Sequence, residues 1–325
     1  MAQSYLDLWL APLRPVLAQA EVTDIFVNRP GEIWVERLGG SVAPQPCPQL
    51  TAPLLWQLAR QLAAASDQGI SRAHPLLSAR LEDGARVQVV APPATRGDLA
   101  LAIRKHVAQA PALADYVAGG SFAATRLGQG VGERPVLALP PGDAPAEIAA
   151  FLAEMVRQRR NILISGGTAS GKTTFLNALL REIPPGERLI AIEDTAELAI
   201  PHANAVGLVA VRGPLGEAQV SAEDLLRAAL RMRPDRILLG EVRGEEAHTF
   251  LRAVNTGHPG SLTTIHADTP AGALEQLALI ILQAGGGLSR ADILAYARQV
   301  VDVIVQLERR GGVRRISEVV LTRAR

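Results

Sequence analysis

Eight consecutive residues, Gly166-Gly167-Thr168-Ala169-Ser170-Gly171-Lys172-Thr173, match the pattern G-x-x-x-x-G-K-[ST] in full. The chemistry of that spacing is anion binding. Glycines let the backbone turn its N–H groups inward, and a helix that follows adds positive potential at its N-terminus. An apolar run, Ile162 to Ser165, enters the loop and a leucine-rich helical stretch leaves it at Thr173, the context that separates a working loop from a chance match. A lysine in this place reaches the β- and γ-phosphates of a nucleoside triphosphate, and the adjoining threonine hydroxyl ligates Mg²⁺. The expected ATP-binding set is therefore Gly166 to Thr173, with Thr174 beside them. The chain holds 31 arginines and only two lysines, Lys105 and Lys172, so one of the two stands where a phosphate loop requires it.

Acidic groups follow two further apolar runs. Leu189 to Ile192 leads into Glu193 and Asp194, with Glu197 shortly after, and Ile237 to Gly240 leads into Glu241. Ligands of a parallel α/β sheet gather at the carboxyl ends of its strands, where both clusters fall. A carboxylate there orients the attacking water or holds a water of the Mg²⁺ shell. The plainer reading, a first-turn or capping acid, suits Asp194 and Glu197, and Glu193 and Glu241 are read as functional. Many P-loop enzymes have an aspartate where Gly240-Glu241 stand here. Thr173 and Glu241 are thus the metal-side candidates, Thr173 directly and Glu241 through water.

His266 ends a strand-like run, from which it donates a hydrogen bond to a γ-phosphate oxygen or serves the fold; both readings stand. His258 lies in a Gly-His-Pro-Gly turn and is read as structural. A spacing of eight positions from one histidine to the other, with no cysteine partner, makes a poor zinc pattern. Arg86 and Arg104 lie within β-rich runs, where a charge wants a partner, and an arginine delivered across a cleft neutralises transition-state charge.

The elements that position these residues follow from periodicity. Residues 22–28 and 32–37 are β-rich runs parted by Arg29-Pro30-Gly31, a hairpin signal. Residues 53–65 carry leucines at helical spacing, and 85–90 and 98–104 read as strands. Glycines and prolines crowd 107–146, among them Gly128, Gly130, Gly132 and Pro141. From 161 the rhythm is strand, helix, strand, with a helix opening at Ser221 opposite its capping partner Asp224 and another entered through Asp268-Thr269-Pro270. That alternation predicts an α/β fold with a mostly parallel sheet covered on both faces. The expected division is an N-terminal α/β domain over 1–106, a linker over 107–146 and a larger domain over 147–325.

Composition narrows the class. With 325 residues, 48% apolar and 20% charged, the chain has the balance of a soluble globular protein, and its +1 net charge gives no general attraction to DNA or anionic lipid. Direct sequence-specific nucleic-acid binding is not expected. Cys47 is the single cysteine, which excludes an internal disulfide. No run of 18 apolar residues is present, and Asp7, Pro12, Arg14 and Pro15 interrupt a signal-peptide core, so the expected location is cytoplasmic. Leu6, Trp9, Leu10, Leu13 and Leu17 form a helical stripe, read as packing on the domain rather than on a membrane.

The segments SGGTASGKTTFLNAL, AIEDTAEL, RMRPDRILLGEVRG and NTGHPGSLTTIHAD, in that order, resemble the traffic ATPases of bacterial type IV secretion and conjugation systems, the VirB-eleven family. IFVNRPGEIWVERLG and VVDVIVQLERRGGVRRISEVVL are similar to that family too, so the resemblance runs from about residue 22 to the C-terminus. It implies a RecA-like P-loop ATPase domain behind a smaller α/β domain, a homo-hexameric ring, and ATP bound between the two domains. It carries Arg104, and Arg86 with it, to the phosphates, Glu193 to the family's Asp box, Glu241 to its Walker B segment and His266 to its His box. Inner-membrane secretion-channel proteins and coupling ATPases are the implied partners, with peripheral attachment to the cytoplasmic side of the inner membrane through them. ATPases of type II secretion and of type IV and tight-adherence pili share the core blocks. The short N-terminal domain and the GHPGSLTTIHAD wording favour type IV secretion. A nucleotide-switched assembly module with little turnover uses the same loop and stays open.

Overall fold

Residues 5–105, 112–123, 125, 137–140, 142–212, 216–285 and 287–322 are described by a computed structural model, and they form an α/β fold on two sheets. In chain order the first part comprises helices α1 (Tyr5–Leu10) and α2 (Arg14–Leu17), strands β1 (Val22–Val27), β2 (Gly31–Arg37) and β3 (Val42–Cys47), helix α3 (Ala52–Ala64), and strands β4 (Leu76–Arg80), β5 (Arg86–Val90) and β6 (Ala100–Arg104). The strands pair antiparallel in the order β3-β2-β1-β6-β5-β4. Gly31 begins β2 at φ +81°, a backbone angle that glycine adopts without steric cost, at the turn the sequence marks. Strand β3 escapes a reading by alternation because Pro44 and Pro46 interrupt it. Two residues without N–H groups are tolerated at the sheet edge, where β3 lies.

Side chains alternate across a strand, and the first sheet uses both faces. Ile25, Val27, Leu101 and Ile103 pack with Leu55, Leu58 and Leu62 of α3 and with Leu10, Leu13 and Leu17, so the N-terminal stripe is core. Phe26, Ala100 and Ala102, on the other face, join a core that belongs to the second sheet. Arg188 reinforces the junction: it is fully buried, its Nη1 lies 2.8 Å from Asn28 Oδ1, and its guanidinium sits 4.0 Å over the Phe26 ring.

Of the expected linker, Gly128, Gly130, Gly132 and Pro141 lie outside the described residues, while helix α4 (Leu113–Ala118) lies within it. The second part then runs α5 (Pro145–Arg157), β7 (Ile162–Gly166), α6 (Lys172–Leu180), β8 (Leu189–Glu193), β9 (Ala205–Val209), α7 (Ala222–Ala229), β10 (Arg236–Leu239), α8 (Glu246–Asn255), β11 (Leu262–Ile265), α9 (Pro270–Gln283), α10 (Arg290–Val300), β12 (Val303–Arg310) and β13 (Val313–Leu321). Its sheet has the order β13-β12-β7-β11-β10-β8-β9, with parallel pairs throughout except the antiparallel β12–β13 hairpin. Ile162 and Ile164 pack towards α5 and α6, and Leu163 towards α7 to α10. Helices on both faces explain why these strands read as continuous apolar runs. The Ser221–Asp224 capping box forms as the sequence predicts, and Thr269 caps α9. Among the described residues no helix is long and apolar enough to cross a membrane.

Candidate phosphate-binding site

Strand β7 delivers the chain to Gly166, with Leu307 of β12 beside Gly166 on one side and Ile265 of β11 beside the preceding Ser165 on the other. The fit there is tight. A Cβ on Gly166 would lie 2.5 Å from Ser170 Oγ and 2.7 Å from the Leu307 carbonyl, so only glycine serves. The loop then turns through two left-handed residues, Ala169 (φ +59°) and Gly171 (φ +97°), and α6 starts at Lys172 with no side chain capping its first amides. The Ser170 hydroxyl is buried with no hydrogen-bond partner among the described residues. An uncapped helix N-terminus, an orphaned hydroxyl and a buried lysine suit a bound polyanion.

Lys172 Nζ donates to the carbonyls of Gly166 (2.9 Å) and Gly167 (3.2 Å) and lies 3.2 Å from His266 Nδ1. Burial lowers the pKa of the ammonium, an effect that the nearby Glu241 carboxylate opposes. His266 Nε2 is 3.0 Å from Glu241 Oε1, and Arg243 Nη2 donates to Glu241 Oε2 at 2.7 Å. One neutral tautomer satisfies both histidine contacts: Nδ1 accepts from Lys172 and Nε2–H donates to Glu241. Arg243 continues to Asp194 at 3.7 Å. The polar chain thus runs Lys172–His266–Glu241–Arg243–Asp194.

Beside it a cavity of about 90 Å³ is lined by Thr173, Glu193, Asp194, Glu241 and Arg243 among others. It holds room for several waters or a hydrated cation next to the Thr173 hydroxyl. This donor set, one hydroxyl and carboxylates reachable through water, is the oxygen-rich surrounding that Mg²⁺ takes. Gly240 lets the Glu193 side chain pass close, since a Cβ there would sit 3.1 Å from Glu193 Cγ. Glu193 itself is 3% exposed at its side chain and fully engaged: Oε1 accepts the N–H groups of Glu197 (2.8 Å) and Leu198 (2.7 Å), and Oε2 pairs with Arg96.

The structure therefore brings Gly166 to Thr173, Glu193, Glu241 and His266 together at the carboxyl ends of β7, β8, β10 and β11. It does not bring Arg86 and Arg104 there. These two face each other directly across β5–β6 and line a cavity of about 680 Å³ with Arg80, Arg231 and Arg233. Arg104 Nε lies 3.9 Å from Asp24 Oδ1, and burial pushes the Asp24 carboxyl above its usual range.

His258 is structural, its Nδ1–H donating to the Pro234 carbonyl at 2.9 Å. Burial holds its pKa below 6.5, so the unfolded chain binds this proton more readily. The expected outcome is a stability contribution present above about pH 6.5 and lost as the pH falls below it. Replacement by asparagine flattens that part of a denaturation-against-pH profile, and an unchanged slope refutes the assignment.

Sequence reasoning missed Arg96, Arg243 and Arg314. Arg314, on the β12–β13 hairpin, donates from Nε to the Ala169 carbonyl at 3.1 Å. Arg243 was within reach, because it stands two residues beyond Glu241, near enough in sequence for opposite charges to meet. Nothing in sequence marks Arg96.

Residues 138–313 match the family model described as Type II/IV secretion system protein. The chain is 37% identical to a type IV secretion system protein VirB11 of Bartonella henselae, with 95% of this chain and 91% of that protein covered. It is 40% identical to the type IV secretion system protein PtlH of Bordetella pertussis, at 95% and 92% coverage. Among solved structures it resembles the VirB11 ATPase of the Brucella suis type IV secretion system, crystallised with sulphate, at a TM-score of 0.84, 37% identity and 97% coverage of both chains.

Proposed function

The chain belongs to the VirB11 family of type IV secretion ATPases, and from that premise we propose that Gly166 to Thr174 bind the phosphates of ATP on a RecA-like P-loop fold that powers export. The observation that carries this reading is the Lys172 ammonium, held between the loop carbonyls and His266 within reach of Glu241. Lys172 moves from those carbonyls to the β- and γ-phosphates. Glu241 orients a water for in-line attack on the γ-phosphorus. The bond to the bridging oxygen breaks, ADP leaves with that electron pair, and phosphate and a proton are released. His266, already bonded to Glu241, senses loss of the γ-phosphate. Thr173, and Glu241 through water, would hold Mg²⁺, which would supply charge neutralisation on the phosphate oxygens.

The proposed division of labour is an N-terminal domain over 1–106, a linker over 107–146 and the ATPase domain over 147–325. Arg86 and Arg104 stand opposite each other as like charges across two strands, an arrangement that Asp24 offsets beside Arg104 and that a further anion in the cavity would offset more fully. They are proposed to serve the nucleotide of a neighbouring copy in a hexameric ring. The ring would sit on the cytoplasmic side of the inner membrane through contacts with channel proteins and coupling ATPases.

Replacing Glu241 by glutamine tests the mechanism. The expected variant binds ATP with undiminished affinity and releases phosphate at least about a hundredfold more slowly, trapping the triphosphate in a filter-binding assay. Steady-state hydrolysis at the native rate would move the water-orienting role to Glu193.

A further inference from the structure

The connection between β5 and β6 does more than reverse the chain. It runs along the free edge of β9, where Val209 N–H donates to the Ala94 carbonyl at 3.0 Å and Arg96 N–H to the Gly207 carbonyl at 2.9 Å, with Thr95 opposite Leu208. The first sheet is thereby docked on the second by strand addition. The Arg96 side chain then threads inward over Gly207. A Cβ on Gly207 would lie 2.4 Å from Arg96 Cδ and 2.7 Å from Nε, so the path exists only because that residue is glycine. At its end Nη1 donates to the Leu198 carbonyl at 2.7 Å, and Nη2 pairs with Glu193 Oε2.

A carboxylate as enclosed as Glu193 is costly without a counter-charge. Arg96 supplies it, and the N–H groups of Glu197 and Leu198 occupy the other oxygen. Both oxygens of Glu193 are thereby held by protein donors. What Glu193 and Arg96 fix together is the turn 193–198, which carries Asp194. Asp194 meets Arg243, Arg243 holds Glu241, and Glu241 meets His266. We propose that Arg96 is a positioning residue for hydrolysis, which anchors Glu193 and through the 193–198 turn sets the placement of Glu241, linking the docking of the first sheet to the chemistry. The inference rests on the reading of Lys172 and Glu241 given above.

The test uses the full chain with Arg96→Ala, Arg96→Lys and Gly207→Ala, each measured for nucleotide affinity by fluorescent ATP titration and for kcat and KM by phosphate release. Arg96→Ala is expected to lower kcat about tenfold or more, with ATP affinity within about twofold of native, because a displaced catalytic group costs rate rather than binding. Gly207→Ala, with the arginine intact, is expected to give the same split, and Arg96→Lys to recover part of the rate. In a Glu241→Gln background Arg96→Ala should add no further loss, since it acts through Glu241. An unaltered kcat in Arg96→Ala and Gly207→Ala overturns the proposal, as does a loss of rate and affinity in equal measure that tracks the folded fraction. Should Arg96→Ala fail to fold, the lysine and Gly207 variants decide the matter by the same criteria. A native chain that binds no ATP overturns the underlying reading instead, and is recognised before any variant is compared.

Discussion

Replacing Lys172 by alanine lowers steady-state ATP turnover by about a thousandfold or more, the scale set by removing a preorganised charge from a developing oxyanion. The argument is geometric. Lys172 is the first residue of α6, and its Nζ already lies in the loop, bonded to Gly166 and Gly167 carbonyls that a phosphate tail would displace. The ammonium is 3.2 Å from His266 and faces the same histidine that contacts Glu241. Its loss removes the ammonium from inside the loop and leaves the anion to the helix amides, with Arg314 on the Ala169 carbonyl as the cation remaining at the loop. The fold should tolerate the change, because no buried acid loses its only partner: Glu241 keeps Arg243. Phosphate release measured beside a thermal melt checks both halves. A folded Lys172→Ala chain that still hydrolyses ATP at the native rate sinks the site.

The largest stability effect is expected at Arg236. This side chain is wholly buried at the start of β10, with Nε and Nη2 on the two oxygens of Glu187 at 2.7 and 2.8 Å. Its Nη1 bonds the Val156 carbonyl at 2.7 Å at the end of α5 and reaches the Gly260 carbonyl at 3.3 Å before β11. One guanidinium therefore ties a central strand to a helix end, a loop and an acid. Arg236→Ala removes all four bonds and is expected to cost about 3–5 kcal/mol, a large share of the 5–15 kcal/mol typical of a domain. Arg159 Nη2, 3.1 Å from Glu187, compensates in part. Pairing Arg236→Met with Glu187→Gln should recover some of the loss, because no buried charge is then left unpaired and Arg159 remains in contact with solvent. Denaturant unfolding reads both, and a loss below about 1 kcal/mol for Arg236→Ala refutes the account.

Both predictions concern residues whose visibility in the sequence differs sharply. Lys172 announces itself, since the loop pattern, the strand before it and the helix after it are all local. Glu193, Glu241 and His266 were legible for a related reason: each follows an apolar run that becomes a strand, and parallel strands end on the same side. Arg236 looked like any of 31 arginines. Arg86 and Arg104 were legible as charged residues in strands, but their destination was not; they face each other over a separate cavity, away from the loop of their own chain.

The β3 strand shows the same limit at the level of fold. Its prolines argue against a strand on local grounds, and only its position at the sheet edge admits them. The N-terminal leucine stripe shows the converse. Periodicity alone gave a helix with one apolar face, and α3 provided the surface that covers Leu10, Leu13 and Leu17.

By itself the amino-acid order determined the glycine-rich loop before α6, the sidedness of the strands, the caps at Ser221 and Thr269 and the place of the acids beyond β8 and β10. Each depends on residues a few positions apart, whose geometry the backbone enforces. Tertiary structure alone decided which arginine meets which acid. Arg96 reaches Glu193, Arg243 takes Glu241, and Arg236 takes Glu187 because strand order and the gap above Gly207 bring them within bonding distance. Charge attracts every such pair alike; packing selects among them.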